Sequence, residues 1–265
     1  MAIQQPESWD AFSTHYEAFA EPMTLRFGLA LSDALAIGPG DEVLDVAAGS
    51  GGLSLVLARR GARVTAIDHS PAMARRIAER AEQEGVALTA LAMDGQALDF
   101  ADASFDVALS VFGVMMFPDH EAGLRELVRV LRPGGRGGLA VWQSEGGAGP
   151  ALLLRAAAQS LFPDRPLAPM PIGHQVWRDP DRLATSWQGA GLTDVEVIDH
   201  SLDWPMPTAD WVADNADRVF GVMPIWSAAS ADERTRLLAH IVDQMRAMTE
   251  PAVPSPAWLA IGTKL

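Results

Sequence analysis

The sequence predicts an α/β fold in which helices cover both faces of a parallel sheet. Short apolar segments alternate with segments of helical periodicity between residues 42 and 142, and this alternation is typical of parallel sheets. A loop of small residues follows the first apolar segment, and an aspartate stands at the end of each of the next two. Ligands of such sheets bind at the carboxyl ends of the strands, so we expect the functional residues at that edge.

Composition narrows the possible functions. The chain has 265 residues, of which 49% are hydrophobic, and a formal net charge of −14. Its length fits one domain with a full core, and its acidity argues against a nucleic-acid partner. It has no cysteine, which excludes disulfides and thiolate metal sites. No apolar run reaches the roughly 18–20 residues of a membrane helix, and no signal peptide is evident, so we expect a cytoplasmic location without membrane insertion.

The first half of the chain contains the elements that predict the sheet. Residues 1–37 are predicted to form a helical lid with a break at Glu21-Pro22, and Gly38-Pro39-Gly40 marks a turn. The core is then predicted over residues 38–142, with strands at 42–47, 62–68, 86–93, 105–111 and 137–142 and helices at 51–60, 70–84 and 121–131.

The second half changes character. Residues 143–180 are rich in glycine, alanine and proline and are predicted to include a helix at 149–162. A helix at 181–190, a strand at 193–200, a mostly helical stretch at 207–248 and a last strand at 257–264 follow. We interpret 143–180 and 205–250 as cap insertions over the active site of a single domain covering residues 1–265.

The strongest motif is the loop after the first strand. The apolar segment from Val43 runs through Ala47, Gly49 and Gly51 directly into a helix. Small residues allow close approach of the backbone to a ligand, and a helix N-terminus offers free N–H groups to polar atoms. A tight strand-to-helix turn would have the same composition, so the loop alone does not decide the function.

Two aspartates downstream favour a nucleoside ligand. Asp68 ends the second strand about 20 residues past the glycines, where an acid can bind both ribose hydroxyls. The alternative is a helix cap, for which Ser70 competes. Asp94, before Gly95, would bind an adenine amino group or simply form a turn. A dinucleotide-dependent dehydrogenase is disfavoured, because the loop lacks the third glycine of the G-x-G-x-x-G fingerprint.

Taken together, these segments resemble the class I S-adenosylmethionine (SAM)-dependent methyltransferases, most closely the UbiE-like and related small-molecule enzymes. The resemblance covers residues 40–142 and continues more loosely to the C-terminus. It implies a Rossmann-like sheet of seven strands, the last antiparallel, with helical cap insertions. It rests on four segments, namely Asp45–Gly51, Asp68–Met73, Phe105–Ser110 and Leu131–Gly135.

The resemblance also implies a cofactor site. The loop after the first strand would hold the methionine part of SAM, Asp68 the ribose, and the residues after the second and third strands the adenine. Ser110 would border the sulfonium, and Arg26 would pair with the SAM carboxylate unless it is a solvated helix residue. The predicted cofactor residues are Asp45, Ala47, Gly49, Ser50, Gly51, Asp68, His69, Met73, Met93, Asp94, Gly95, Ser110 and Arg26.

Methyl transfer requires mainly proximity and orientation, and a base only for an acceptor that must lose a proton early. His174 is the first candidate base, and His15 and Tyr16 lie on the predicted lid. No metal is expected, since the start of a solvated helix accounts for Asp119-His120.

The acceptor is predicted to be a small, largely apolar, aromatic or polyketide-like product of secondary metabolism. Where UbiE-like enzymes often carry histidines, this chain has Met115-Met116, so Met115 and Phe117 are predicted substrate contacts unless they simply pack under the cap. Trp177, one of several tryptophans in the second half, is a third predicted contact because its ring would suit a flat substrate. The alternative function is a non-methylating SAM-binding enzyme, cyclase-like, or a regulatory module. The oligomeric state is left open, a homodimer included.

Overall fold

The computed structural model describes residues 7, 9, 10, 15–167, 169–221, 223–249 and 252–265. Residues 1–6, 8 and 11–14 of the predicted lid, and residues 168, 222 and 250 of the predicted cap insertions, lie outside this part of the chain.

One sheet runs through the described residues and confirms the predicted fold class. Its seven strands have the order β3-β2-β1-β4-β5-β7-β6. β7 runs antiparallel to both β5 and β6, and the other pairs are parallel. The strands are β1 (Glu42–Val46), β2 (Arg63–Asp68), β3 (Thr89–Ala92), β4 (Phe105–Val111), β5 (Leu131–Trp142), β6 (Leu192–Pro205) and β7 (Ala252–Lys264).

Helices connect these strands and cover the sheet. In the first half they alternate with the strands as predicted, and in the second half they follow β5 and separate β6 from β7. They are α1 (Glu21–Ala34), α2 (Gly52–Arg59), α3 (Pro71–Glu84), α4 (His120–Arg129), α5 (Pro150–Leu161), α6 (Ile172–Trp177), α7 (Pro180–Gly189), α8 (Ala209–Asp214), α9 (Ala216–Phe220), α10 (Pro224–Ser227) and α11 (Ala231–Ala247).

The helix break predicted at Glu21-Pro22 is wrong. A π-helical turn over Tyr16–Ala20 passes directly into α1, and the Glu21 N–H donates to the carbonyl of Tyr16. Pro22 therefore lies in the first turn of α1, where a proline costs no intrahelical hydrogen bond. Residues 16–34 thus form one continuous helical element.

The late strands are longer than predicted. Leu131 already pairs with Phe105, and the ladder resumes at Arg136 after the Pro133-Gly134-Gly135 irregularity. β6 and β7 continue past the end of β5 as a two-stranded ribbon, in which Trp204 pairs with Val253. Each strand satisfies the backbone groups of the other there, so regular structure does not depend on the rest of the sheet.

Candidate functional site

A cavity of about 700 Å³ opens at the carboxyl ends of β1, β2, β4 and β5. The strand order reverses between β1 and β4, where α/β sheets bind their ligands. Many of the predicted site residues line this cavity: Tyr16, Ala47, Gly49, Asp68, His69, Met73, Met93, Asp94, Met115 and Phe117.

We distinguish two ends of the cavity wall. The cofactor end comprises residues that follow β1, β2 and β3: Ala47, Gly49, Asp68, His69, Met73, Met93, Asp94 and Gln96. The acceptor end comprises residues that follow β4 and β5, together with residues of the lid and of the helical second half: Phe19, Phe112, Met115, Met116, Trp142, Ala148, Ala151, Leu154, Arg155, Met170, Trp204, Val219, Met223 and Ile225.

At the cofactor end, the loop after β1 adopts the backbone that small residues permit. Gly49 and Gly51 have φ of 59° and 86°, in the left-handed region, and Ala47 adopts 59°. A Cβ at Gly49 would stand 2.9 Å from Cε1 of Tyr16, and one at Gly51 would stand 2.8 Å from Cγ1 of Ile77. The loop is therefore a close-fitting surface that larger side chains would obstruct.

Asp68 is held rigidly at the end of β2. Its Oδ2 accepts a hydrogen bond from the Gly49 N–H at 2.9 Å, and its Oδ1 accepts one from the Ser70 N–H at 2.9 Å. Ser70 is the cap of α3, since its hydroxyl accepts from the Met73 N–H. The competing cap role is thus taken by Ser70, and the Asp68 carboxylate remains in the cavity wall.

His69 lies beside Asp68 in the same wall. Its Nδ1 is 3.4 Å from Oδ1 of Asp68, and this contact raises the pKa of His69. Its Nε2 is buried without a hydrogen-bond partner among the described residues. An unpartnered buried nitrogen is costly in a folded protein, so this edge of the ring is suited to a polar ligand.

Asp45 lies behind the loop, outside the main cavity. It is buried, and the Ser54 hydroxyl donates to its Oδ2 at 2.6 Å. Burial raises the pKa of Asp45 to about 6. Its carboxyl borders a much smaller cavity together with Ala47 and Glu21, so the structure places it beneath the loop.

Tyr16 covers the glycine loop from the lid. Its ring contacts the Gly49 position, and its hydroxyl lies 3.2 Å from the hydroxyl of Thr24. Burial raises the pKa of Tyr16 well above its ordinary value. At neutral pH its phenol therefore remains protonated, which makes it a poor general base.

Aromatic rings form much of the acceptor end. Phe112 and Trp142 stack at a centroid distance of 3.4 Å with an interplanar angle of 7°, and Trp204 lies 6.5 Å from Trp142. Phe112 holds a left-handed φ of 61°, a strain that cavity walls often carry. Phe112 and Trp142 were not among the predicted site residues, although their position at the carboxyl ends of β4 and β5 could have indicated them.

Three predicted contacts are wrong for this cavity. Trp177 is fully buried and donates its indole N–H to the Ser186 hydroxyl, so it is a core residue. His174 is buried outside the wall, its Nε2 lies 2.8 Å from the Ser144 carbonyl, and burial lowers the pKa of its ring. Arg26 donates to the Asp203 carbonyl at 3.3 Å, away from the loop.

The remaining predicted residues support the wall from behind or lie apart from it. The Ser110 hydroxyl donates to the Val46 carbonyl at 2.7 Å, and the Ser50 hydroxyl donates to the Glu21 carboxylate. Gly95 packs against Phe117, and His15 is not among the wall residues. In the described ranges no group of three or more His, Cys, Asp or Glu side chains suited to a metal ion occurs.

Known proteins resemble parts of the chain. Residues 43–135 match the family model described as Methyltransferase domain. An uncharacterized protein of Mycobacterium tuberculosis is 47% identical over 131 residues, which cover 49% of this chain and 48% of that protein. The demethylmenaquinone methyltransferase of Mycobacterium sp. (strain JLS) is 45% identical over 103 residues, covering 39% and 42%. The chain thus spans about half the length of the curated relatives it matches.

Among solved structures, the [4+2]-cyclase SpnF has the same fold. It superposes with a TM-score of 0.56 at 20% identity and covers 91% of this chain and 81% of the cyclase. Residues 43–135 thus match a methyltransferase domain by sequence, and the fold and the glycine loop are similar to those of class I SAM-dependent methyltransferases. Within that class the chain resembles the demethylmenaquinone methyltransferase, a UbiE-like enzyme, over 103 residues.

S-adenosylmethionine is the cofactor of this class, and the residues present fit it. The loop at Gly49 admits no further side-chain atom. Two backbone amides fix the Asp68 carboxylate in the wall, where it can accept hydrogen bonds from vicinal hydroxyls. Asp94 and Gln96 share a hydrogen bond of 3.0 Å at the far edge and supply polar groups for a purine. The polar groups at this end of the cavity would therefore suit an adenosine.

Proposed function

We propose that this chain transfers a methyl group from S-adenosylmethionine to a small, largely apolar, aromatic or polyketide-like metabolite. The observation that supports this most directly is the continuity of one cavity from Asp68 and Gly49 to the Phe112–Trp142 pair. A flat acceptor stacked on these rings would lie in the same enclosed space as the cofactor loop. A cytoplasmic role in secondary metabolism completes the proposal; none of the described helices has the length and apolarity of a membrane span.

In this proposal the chain acts mainly by positioning. When bound, the cofactor supplies a methyl group that its sulfonium already activates. Asp68 binds the ribose, the loop at Gly49 receives the methionine part, and Tyr16 covers both from the lid. The aromatic wall orients the acceptor and keeps water out. Holding the acceptor close to the methyl group in a reactive orientation lowers the entropic cost of the transfer.

The residues named above for the acceptor end include no histidine and no carboxylate, so this end offers little for proton abstraction. The raised pKa of Tyr16 keeps its phenol neutral, and His174 lies outside the cavity. The site therefore suits an acceptor that reacts without a strong protein base, such as a phenol or an enolisable carbon that ionises readily.

The test is a screen of aromatic and polyketide metabolites for S-adenosylhomocysteine (SAH) formation by the purified protein. We expect SAH to accumulate with at least one acceptor and in proportion to methylated product. Asp68→Ala should abolish the signal, whereas the exposed substitution Asp99→Asn should preserve it. SAH binding without SAH formation across the screen would count against methyl transfer.

The second candidate is a non-methylating, cyclase-like enzyme or a regulatory module that uses the same site. The fold of the solved [4+2]-cyclase and the scarcity of bases at the acceptor end favour it. In the same screen it would give an isomerised product, or tight binding alone, without SAH. Mass spectrometry of the acceptor separates the two, because methylation adds the mass of one CH₂ and cyclisation adds none.

A further inference from the structure

The acceptor end of the cavity, which is otherwise largely apolar, contains the positively charged side chain of Arg155. Among the described residues of the acceptor end, Arg155 on α5 is the one charged side chain, and no carboxylate lines that end. Only 16% of its side chain is exposed. The acceptor end also includes the apolar residues Ala151, Leu154 and Met170, and an apolar environment makes an incompletely paired cation costly.

The protein satisfies this guanidinium only in part. Its Nη2 donates to Oε1 of Glu145 at 2.8 Å, and no other acceptor among the described residues takes a hydrogen bond from it. A guanidinium has five N–H donors in a planar fork that matches a carboxylate. The Glu145 side chain is 63% exposed, and ion pairs to such exposed groups are weak. Most of the hydrogen-bonding capacity of Arg155 is therefore available to a ligand.

The backbone next to this pair leaves room for the guanidinium. A Cβ at Gly146 would stand 2.9 Å from Cδ of Arg155. Gly147, with a φ of 89°, continues the turn into α5. A Cβ at residue 146 would require the Arg155 side chain to shift, so Gly146 accommodates Arg155 in its present position.

We propose that Arg155 binds a carboxylate of the methyl acceptor, so that the substrate class is an aromatic or polyketide-like acid. This inference rests on the proposed function, because it takes the acceptor end as the substrate site. The apolar rings hold the body of the acid, and Arg155 holds its anionic group away from the cofactor end. Glu145 competes with the substrate for the same guanidinium.

The test uses naphthoate and naphthamide, which share one ring system and differ in charge. Their affinities are measured by calorimetry at saturating SAH. We expect the wild-type protein to bind naphthoate about tenfold more tightly than naphthamide, as one charge-assisted hydrogen bond provides. Arg155→Met should remove the preference and leave naphthamide affinity nearly unchanged. Arg182→Met, on a surface pair with Asp179, is the matched control and should retain it.

The variant Glu145→Gln distinguishes a ligand-binding Arg155 from one that only forms a structural ion pair. With the competing carboxylate removed, naphthoate should bind several-fold more tightly while naphthamide does not change. Glu145 is exposed, so this variant tests the inference even if Arg155→Met fails to fold. Equal affinities for the two probes, no binding of either, or a preference that survives Arg155→Met would overturn the inference. Loss of SAH binding in the wild-type samples would instead refute the proposed function.

Discussion

Nη1 of Arg80 donates to both carboxylate oxygens of Glu21, at 2.9 Å to Oε1 and 2.8 Å to Oε2. The same nitrogen donates to the Ser50 carbonyl at 2.9 Å, and Oε2 of Glu21 accepts from the Gly52 N–H at 3.0 Å. The pair therefore joins the lid helix α1, the glycine loop and α3 at one point. The lid is held over the cofactor loop by a buried charge pair as well as by apolar packing.

Removing Arg80 should destabilise the fold strongly. Arg80→Met leaves the Glu21 carboxylate, in a residue only 8% exposed, without its counter-charge. We expect the free energy of unfolding to fall by about 3 kcal/mol, as when one partner of a buried pair is removed. Urea titration of the apo protein measures the change.

Arg59 provides the control for this substitution. It pairs with Glu84 on the surface, where its side chain is 51% exposed. Arg59→Met should cost less than about 1 kcal/mol, since exposed pairs contribute little. Equal losses in the two variants would show that the Arg80–Glu21 pair is no more important than a surface pair.

Asp68 should dominate cofactor affinity. Asp68→Asn keeps the size of the side chain but removes the charge that would accept ribose hydroxyls. We expect SAH binding to weaken by about 10- to 100-fold, corresponding to roughly 1.5–3 kcal/mol for hydrogen bonds to a charged group. Calorimetry measures the affinity, and the exposed variant Asp99→Asn should leave it unchanged. An unaltered dissociation constant in a folded Asp68→Asn protein would show that Asp68 does not bind the ribose and only accepts hydrogen bonds from the Gly49 and Ser70 amides.

Asp45 should make stability depend on pH. Burial raises its pKa to about 6 from 3.8, so between these values the folded state binds more protons than the unfolded state. Its contribution to stability is therefore largest below pH 3.8 and is lost as pH rises through 6. A shift of about two units corresponds to about 3 kcal/mol.

Asp45→Asn isolates this effect because it leaves the other carboxyl groups in place. The free energy of unfolding of the variant minus that of wild type should rise by about 3 kcal/mol between about pH 4 and about pH 7. Urea titrations of both apo proteins at a series of pH values give this difference. A difference that does not vary with pH would show that Asp45 is not the buried, titrating group.

The sequence predicted the cofactor end better than the acceptor end for a physical reason. Gly49, Asp68 and Asp94 follow strands within one short stretch of chain, and local strand-to-helix geometry fixes their positions. The acceptor end assembles Phe19, Trp142 and Trp204 from segments far apart in sequence. Their meeting depends on tertiary packing, which periodicity and motif spacing do not encode.

The wrong predictions have the same origin. His174 was assigned to the site from the cap segment predicted at 143–180, and Trp177 because its aromatic face would suit a flat substrate, yet both lie in α6 and pack inward. Pro22 was interpreted as a break, although a π-helical turn before it allows the helix to continue. In both places the local sequence permits two structures, a loop or a helix at α6 and a broken or a continuous helix at Pro22. Tertiary packing decides between them.

The stacked pair at the acceptor end should determine the affinity for flat ligands without affecting the cofactor. Phe112→Leu retains an apolar side chain but removes the ring that stacks on Trp142. Aromatic pairs contribute about 0.5–1.5 kcal/mol beyond burial, so naphthamide should bind about 2- to 10-fold more weakly. SAH affinity should remain within about twofold, because Phe112 follows β4 and not the cofactor loop. Phe105→Leu removes a comparable ring that packs edge-on against Phe100 outside the cavity wall. It should lower stability by a similar amount and leave naphthamide binding unchanged. Equal loss of naphthamide binding in both variants, or weaker SAH binding in Phe112→Leu alone, would contradict the assignment of these rings to the acceptor.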